Sequence, residues 1–138
     1  MISEIDKELL YCCRIGLSEN VVRCLQNGAN PNVVDISSAP PAYYSCYFGR
    51  LIILQYLLKH GADPNALYPR GRTLLHTVIE SKFYFLIPIL LQYGADPYIE
   101  VRDNFGLKVG SPYELSDKIA KRYIDEFSFE EIKEPDHD

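Results

Sequence analysis

With 138 residues, 47% of them hydrophobic and 24% charged, the chain suits one compact domain or one short array, and it can bury about two-thirds of its unfolded surface without covalent staples. The net charge of −5 sits at one end, because positions 125–138 hold seven acids and a single lysine while the rest is close to neutral; a nucleic-acid binder would need a basic face that this body lacks. No apolar run reaches the roughly 18 residues of a membrane span, and Met1-Ile2-Ser3-Glu4-Ile5-Asp6 lacks the basic start and apolar core of a secretory signal, so the expectation is a soluble, monomeric, cytoplasmic protein with no membrane partner.

In chain order, Ser3 with Asp6 three residues on is positioned to cap a first helix running through Glu8 to Gly16. Ser18 is expected to cap a second over Glu19–Gln26, with Glu19 in the turn where the helix dipole favours an acid. Pro40-Pro41 opens a third helix, Ala42 to Phe48, which Gly49 ends. Leu51–Lys59 forms the fourth. Gly71-Arg72-Thr73 leads into Leu74-Leu75-His76-Thr77-Val78. A further helix covers about Tyr84–Gln92, with Pro88 tolerable inside its first turn and kinking it if the helix starts earlier. Ser111-Pro112 opens another helix, with serine as cap and proline at the first helical position. Ser128-Phe129-Glu130-Glu131 has the spacing of a capping box for a last short helix, and Glu134 to Asp138 should be disordered.

One pentapeptide punctuates this series. Gly28-Ala29-Asn30-Pro31-Asn32, Gly61-Ala62-Asp63-Pro64-Asn65 and Gly94-Ala95-Asp96-Pro97-Tyr98 begin 33 residues apart. Each follows an apolar helical run. Glycine takes the left-handed conformation that closes a helix, proline prevents its continuation, and Asp or Asn bonds local backbone to hold the turn. A fixed period of this size marks stacked repeats.

These residues resemble the ankyrin repeat family, whose units open on a Thr-Pro-Leu-His-like segment and close on Gly-Ala-Asp-x-Asn. Thr73-Leu74-Leu75-His76 matches the opening with leucine for proline, Ser111-Pro112 and Pro40-Pro41 are weaker copies, and Lys7-Glu8-Leu9-Leu10 is an eroded one. The resemblance covers about residues 3–127. It departs from the pattern at Lys82, where glycine is usual between the helices, and in five extra residues before the fourth unit. It implies an all-α solenoid of about four helix-turn-helix units (about 3–33, 34–66, 67–99 and 100–127) with hairpin-like finger loops, followed by an acidic tail at 128–138. Inner helices would line a concave face. Gly28, Gly61 and Gly94 would be structural, as would His76, which in this pattern ties neighbouring loops together.

No residue invites a catalytic reading. His76 has no partnered nucleophile at a recognisable spacing, His60 and His137 lie at a helix end and in the tail, and no phosphate loop occurs. Cys12, Cys13, Cys24 and Cys46 lack metal spacing and read as reduced core residues. Neither enzyme activity nor a cofactor or metal is expected. The resemblance instead implies a module that binds another protein through finger tips and exposed inner-helix positions, as an adaptor or steric inhibitor. The alternatives are a substrate-recognition subunit and a bacterial or viral effector acting on a host protein. Mapped onto this chain, the partner-binding candidates are Tyr47, Phe48, Leu67, Arg70, Arg72, Glu80, Arg102, Phe105 and Lys108. The arginines and Lys108 give the fingers a basic cast, which suggests an acidic partner segment. The longer third loop, with strand-like runs around Asp103-Asn104, should form a protruding hairpin.

Overall fold

The computed structural model describes residues 2–68 and 71–133, with side chains placed through Phe127. The described residues hold eight α-helices and no strand beyond two isolated bridges. They form four antiparallel pairs: α1 (Glu4–Ile15) with α2 (Ser18–Gln26), α3 (Pro41–Tyr47) with α4 (Leu51–Lys59), α5 (Leu74–Ser81) with α6 (Ile87–Gln92), and α7 (Pro112–Leu115) with α8 (Lys118–Lys133). The first helices of successive pairs touch in a row, α1 to α3 to α5 to α7, and behind them α2 packs on α4 and α6 on α8. Leu9, Cys13, Val21, Cys46, Leu54, Leu57, Leu74, Leu75, Leu90 and Ile124 run through the pairs as one continuous core. No pair could bury its own apolar face, so stacking supplies the interior.

Local chemistry sets the helix ends. Ser3 Oγ accepts from the Asp6 amide at 3.3 Å, and Gly16 closes α1 at φ 97°. The three pentapeptides build the same stop. Gly28, Gly61 and Gly94 adopt φ of 94°, 100° and 99°. The following alanine amide reaches back to Cys24, Leu57 and Leu90 O at 3.0, 2.9 and 2.9 Å, and Ala29, Ala62 and Ala95 are buried. Then Asn30, Asp63 and Asp96 each accept the amide two residues on at 2.9 Å.

The structure corrects two helix starts. Ser18 does not cap α2: it is already helical, and Leu17 occupies the cap without a side-chain bond. The link is too short for more, since Leu17 N–H still bonds Cys12 O while Leu17 O already accepts from Val21. Ser128 opens no new helix either, because α8 runs through it to Lys133. Ala120, Ile124 and Phe127, spaced four and three apart, keep one face of α8 on the core, and a serine inside a helix costs only about 0.5 kcal/mol. Pro88 lies in the first turn of α6, which a 3-10 turn at Tyr84–Leu86 precedes, so no kink is needed. The expected disorder of Glu134 to Asp138 falls outside the described residues.

Units are joined by an asparagine ladder. Asn32 Oδ1 accepts from the Asp63 amide at 2.8 Å while its Nδ2 donates to Gly61 O at 3.0 Å. Asn65 repeats this with Asp96 and Gly94 at 2.7 and 2.9 Å. Asp6 makes the first half-rung, accepting from the Asn30 amide at 2.8 Å.

Two stability predictions follow from these backbone features. Asn65→Ala removes both bonds of one rung and should lower the unfolding free energy by about 1–2 kcal/mol in a urea melt. Lys82 holds φ 62° without being glycine, so Lys82→Gly should raise it by about 0.5–1 kcal/mol; a lowered midpoint would mean that side-chain contacts of Lys82 outweigh its backbone strain.

Candidate functional site

An opening of about 670 Å³ lies between α3 and α5 beneath the first two fingers. Its wall is aromatic. Tyr43 and Tyr47, one turn apart on α3, stack with centroids 5.7 Å apart and planes 25° apart, and Tyr68 from the second finger packs on Tyr43 at 4.7 Å. Thr77, Glu80 and Ser81 of α5 face them, with Ser37 and Ala39 of the first finger at the rim. Tyr47 is 50% exposed and Phe48 44%, an unusual exposure for two adjacent aromatics. They meet edge-to-face at 5.0 Å. Phe48 turns away from the cleft, under the Arg50 guanidinium at 5.1 Å.

The wall is held from behind by hydrogen bonds. Tyr44 Oη donates to Asp35 Oδ2 in a short contact. The other oxygen of Asp35 accepts the Ser37 and Ala39 amides at 2.8 and 3.0 Å, which folds the first finger around one carboxylate. Burial opposes that charge, but Tyr44, the two amides and nearby Arg14 together hold Asp35 below its ordinary carboxylate range. Burial foremost, and then the Asp35 carboxylate, push the Tyr44 phenol up to about 12, against the smaller pull of Arg14. Tyr68 Oη donates to Thr73 O at 2.7 Å, and burial likewise pushes its phenol up.

The fingers hold the remaining candidates. The second closes through the Tyr68–Arg72 bridge. Gly71 abuts the third finger so closely that a Cβ would lie 2.5 Å from Arg102 O. The third finger is the expected hairpin, bridged at Arg102–Lys108, with Asp103 Oδ1 accepting the Phe105 and Leu107 amides at 2.9 Å each. Phe105 stands 87% exposed at its tip, and Leu67 is 60% exposed on the second finger. Arg72, Asp103, Phe105 and Val109 line a smaller recess of about 340 Å³ between the two fingers. Arg70 lies outside the described residues.

Folding pairs part of the basic cast read from sequence with acids. Arg72 Nε pairs with Glu80 at 3.2 Å. Lys108 sits between Glu100 and Glu114 at 3.4 Å from each, and Arg102 donates to Gly106 O at 2.8 Å. Arg72 and Lys108 are matched locally because the α5 face and the hairpin bring acids beside them, whereas Arg102 meets a neutral carbonyl, so the support for an acidic partner segment is reduced to Arg102 among the described residues. Of the sequence candidates, Tyr47, Arg72 and Glu80 share one cleft, Arg72 and Phe105 share the recess, and Phe48 and Lys108 face elsewhere. Sequence reasoning missed Asp35, Tyr43, Tyr44 and Tyr68. The four-residue spacing of Tyr43 and Tyr47 was a usable signal; Tyr68 and Asp35 join only through the finger geometry.

His76 is buried and uses both ring nitrogens. The Thr73 amide can only donate, so Nδ1 accepts from it at 3.0 Å; Nε2 then carries the proton and donates to Gly110 O at 2.8 Å. This neutral tautomer joins the opening of the third unit to the loop before the fourth. All four cysteines are free and buried. Among the described residues, no group of three or more His, Cys, Asp or Glu is arranged to hold a metal, and no helix is long and apolar enough to cross a membrane.

The profile of a family described as ankyrin repeats, in three copies, matches residues 9–101. The chain is 37% identical over 98 residues to an ADP-ribosylation factor GTPase-activating protein of Arabidopsis thaliana, covering 71% of this chain and 11% of that protein. It is 34% identical over 103 residues to an ankyrin repeat-containing protein of Treponema pallidum, covering 72% and 33%. A transient receptor potential channel, pyrexia, of Drosophila melanogaster matches at 34% over 101 residues, covering 71% and 11%. The chain thus spans between about a tenth and a third of the length of these relatives.

The His76 geometry generates a pH test. Burial, foremost, and Arg72 lower its folded pKa below the ordinary 6.5, against the smaller opposing pull of Gly110 O and Glu80. The unfolded chain then binds the proton more readily, so the stabilisation is complete above 6.5 and is lost as pH falls through 6.5 toward the folded value. Urea midpoints should decline between pH 7.5 and 5 in the native protein and decline less in His76→Asn, which starts from a lower stability. Parallel slopes would mean that the ring is not held neutral.

Proposed function

The chain belongs to the ankyrin repeat family, and from that premise we propose that it binds a single protein partner across the α3–α5 cleft and the adjoining finger tips, acting as an adaptor or steric inhibitor. Ankyrin repeats are in general protein-interaction modules, and the observation that carries the reading here is the half-exposed Tyr47 on a preformed aromatic wall. Aromatic side chains with ordered surroundings are the commonest anchors of protein interfaces. Exposed Leu67 and Phe105 extend the apolar surface along the fingers. A catalytic role finds no support, since both nitrogens of His76 are engaged in backbone bonds. In the same reading, the chain acts as a monomer in the cytoplasm. Where it forms part of a larger protein, as in the relatives it matches, it supplies the recognition surface.

Affinity capture followed by mass spectrometry identifies the partner, and variants then locate the site. Tyr47→Ala, and separately a deletion of residues 103–107, should each raise the Kd at least tenfold, about 1.4 kcal/mol. Neither should shift the melt much, because every side chain from Asn104 to Leu107 is exposed and Tyr47 is half-exposed. Unchanged affinity in both would move the interface to another face of the solenoid.

A further inference from the structure

Resting on that docking reading, we propose that the α3–α5 cleft is built to receive an arginine side chain of the partner, its guanidinium lying on the Tyr47 ring and bonding the Glu80 carboxylate. Three features converge on this chemistry. The first is the asymmetry of the Arg72–Glu80 pair: the arginine side chain is 26% exposed and the glutamate 50%. The ion pair runs from Arg72 Nε to Glu80 Oε2, so the more outward group is the carboxylate, while the cation is the more covered partner. The second is the state of the tyrosine hydroxyls. Those of Tyr44 and Tyr68 are committed to Asp35 and Thr73 O, so these residues offer the cleft ring surface, whose negative face attracts a cation. The third is the protein's own use of the mode at the adjacent residue, where Arg50 lies over Phe48 at 5.1 Å, just outside the cleft.

Among the described residues, the one opposing charge on the lining is Arg72, which is paired with Glu80 at 3.2 Å and is the more covered of the two side chains. Asp35 lies directly behind Tyr44. Arg14, which partly balances it, sits on α1 over Tyr11 at 5.9 Å. Lys108 and Arg102 are occupied on the third finger. Arginine fits better than lysine because its planar group stacks on a ring while its edge engages a carboxylate. At about 670 Å³ the cleft exceeds one side chain, and the hydroxyl-bearing Ser37, Thr77 and Ser81 are placed to meet the backbone of the segment that carries it.

The test needs no identified partner. The ¹⁵N-labelled protein is titrated with the acetylated tripeptide amide Gly-Arg-Gly and, in parallel, with Gly-Glu-Gly, and amide shifts are followed by NMR. The arginine probe should move resonances of residues 43–48 and 77–81, and the glutamate probe should not. Tyr47→Ala and Glu80→Gln should each weaken the arginine response by about fivefold or more, whereas Tyr47→Phe, which keeps the ring, should retain it. Shifts centred elsewhere, an equal response to the glutamate probe, or an undiminished response in both weakened variants would overturn the assignment. A silent arginine probe beside a captured partner that still depends on Tyr47 removes the arginine chemistry and leaves the docking reading standing. A partner indifferent to Tyr47 removes the docking reading itself.

Discussion

The stacking of this molecule depends on one hydrogen-bonding arrangement: an asparagine amide that grips the helix-stop turn of the next unit by its backbone. Asn32 and Asn65 each present an acceptor and a donor at fixed separation, and each stop turn presents one amide and one carbonyl to match. Hydrophobic contact between helices is strong but non-directional. It would allow neighbouring pairs to slide or rotate at small cost. The ladder adds the direction, and it does so on backbone atoms whose positions the left-handed glycines have already set.

The ladder also defines where the regular array ends. The third pentapeptide carries Tyr98 in place of asparagine, and a phenol holds its donor and acceptor on one oxygen at the far end of a ring, so it cannot reproduce the amide's two-atom grip. At that point the chain inserts five residues, and other bonds take over: His76 Nε2 to Gly110 O, the Tyr113 amide to Pro97 O at 2.8 Å, and Tyr84 Oη to Asp117 Oδ2 at 2.5 Å. Freed from the ladder, the third finger could lengthen into a hairpin without disturbing the stack. Loop closure grows only slowly with length, so an insertion of this size costs little.

How far the sequence reveals this depends on whether a feature is local. The stop turns, the Ser3 and Ser111 caps and the boundaries of α4 rest on residues within a few positions of one another, and all were legible. The hairpin was readable for the same reason. The asparagine role was not: Asn32 and Asn65 sit at the end of a turn motif and look like turn residues, and their partners lie 29 and 31 positions away. Charge went wrong for a related reason. Arg72 and Lys108 count as free cations along the chain, but Glu80 is brought back two turns up α5, and Glu100 faces Lys108 only once the hairpin closes. The exposure of Tyr47 and Phe48 was foreseeable from their place at the end of an inner helix, whereas the aromatic company of Tyr47 needed Tyr68 from the next unit.

The cleft is therefore a product of two units, and its rigidity follows from how each contributes. Asp35 gathers the first finger and the Tyr44 hydroxyl into one network. Tyr68 is buried and tied to the carbonyl of Thr73, the residue whose amide His76 holds in place. The ladder then fixes the two units against each other. A surface assembled this way has little side-chain freedom left to lose on binding, and that loss is a large part of what weak interfaces fail to recover. Tyrosine suits such a wall because it offers much contact area with few rotatable bonds. The same construction limits adaptation. A partner must match the spacing between Tyr47 and the Glu80 carboxylate, since neither α3 nor α5 can shift without breaking a rung of the ladder or the core beneath it.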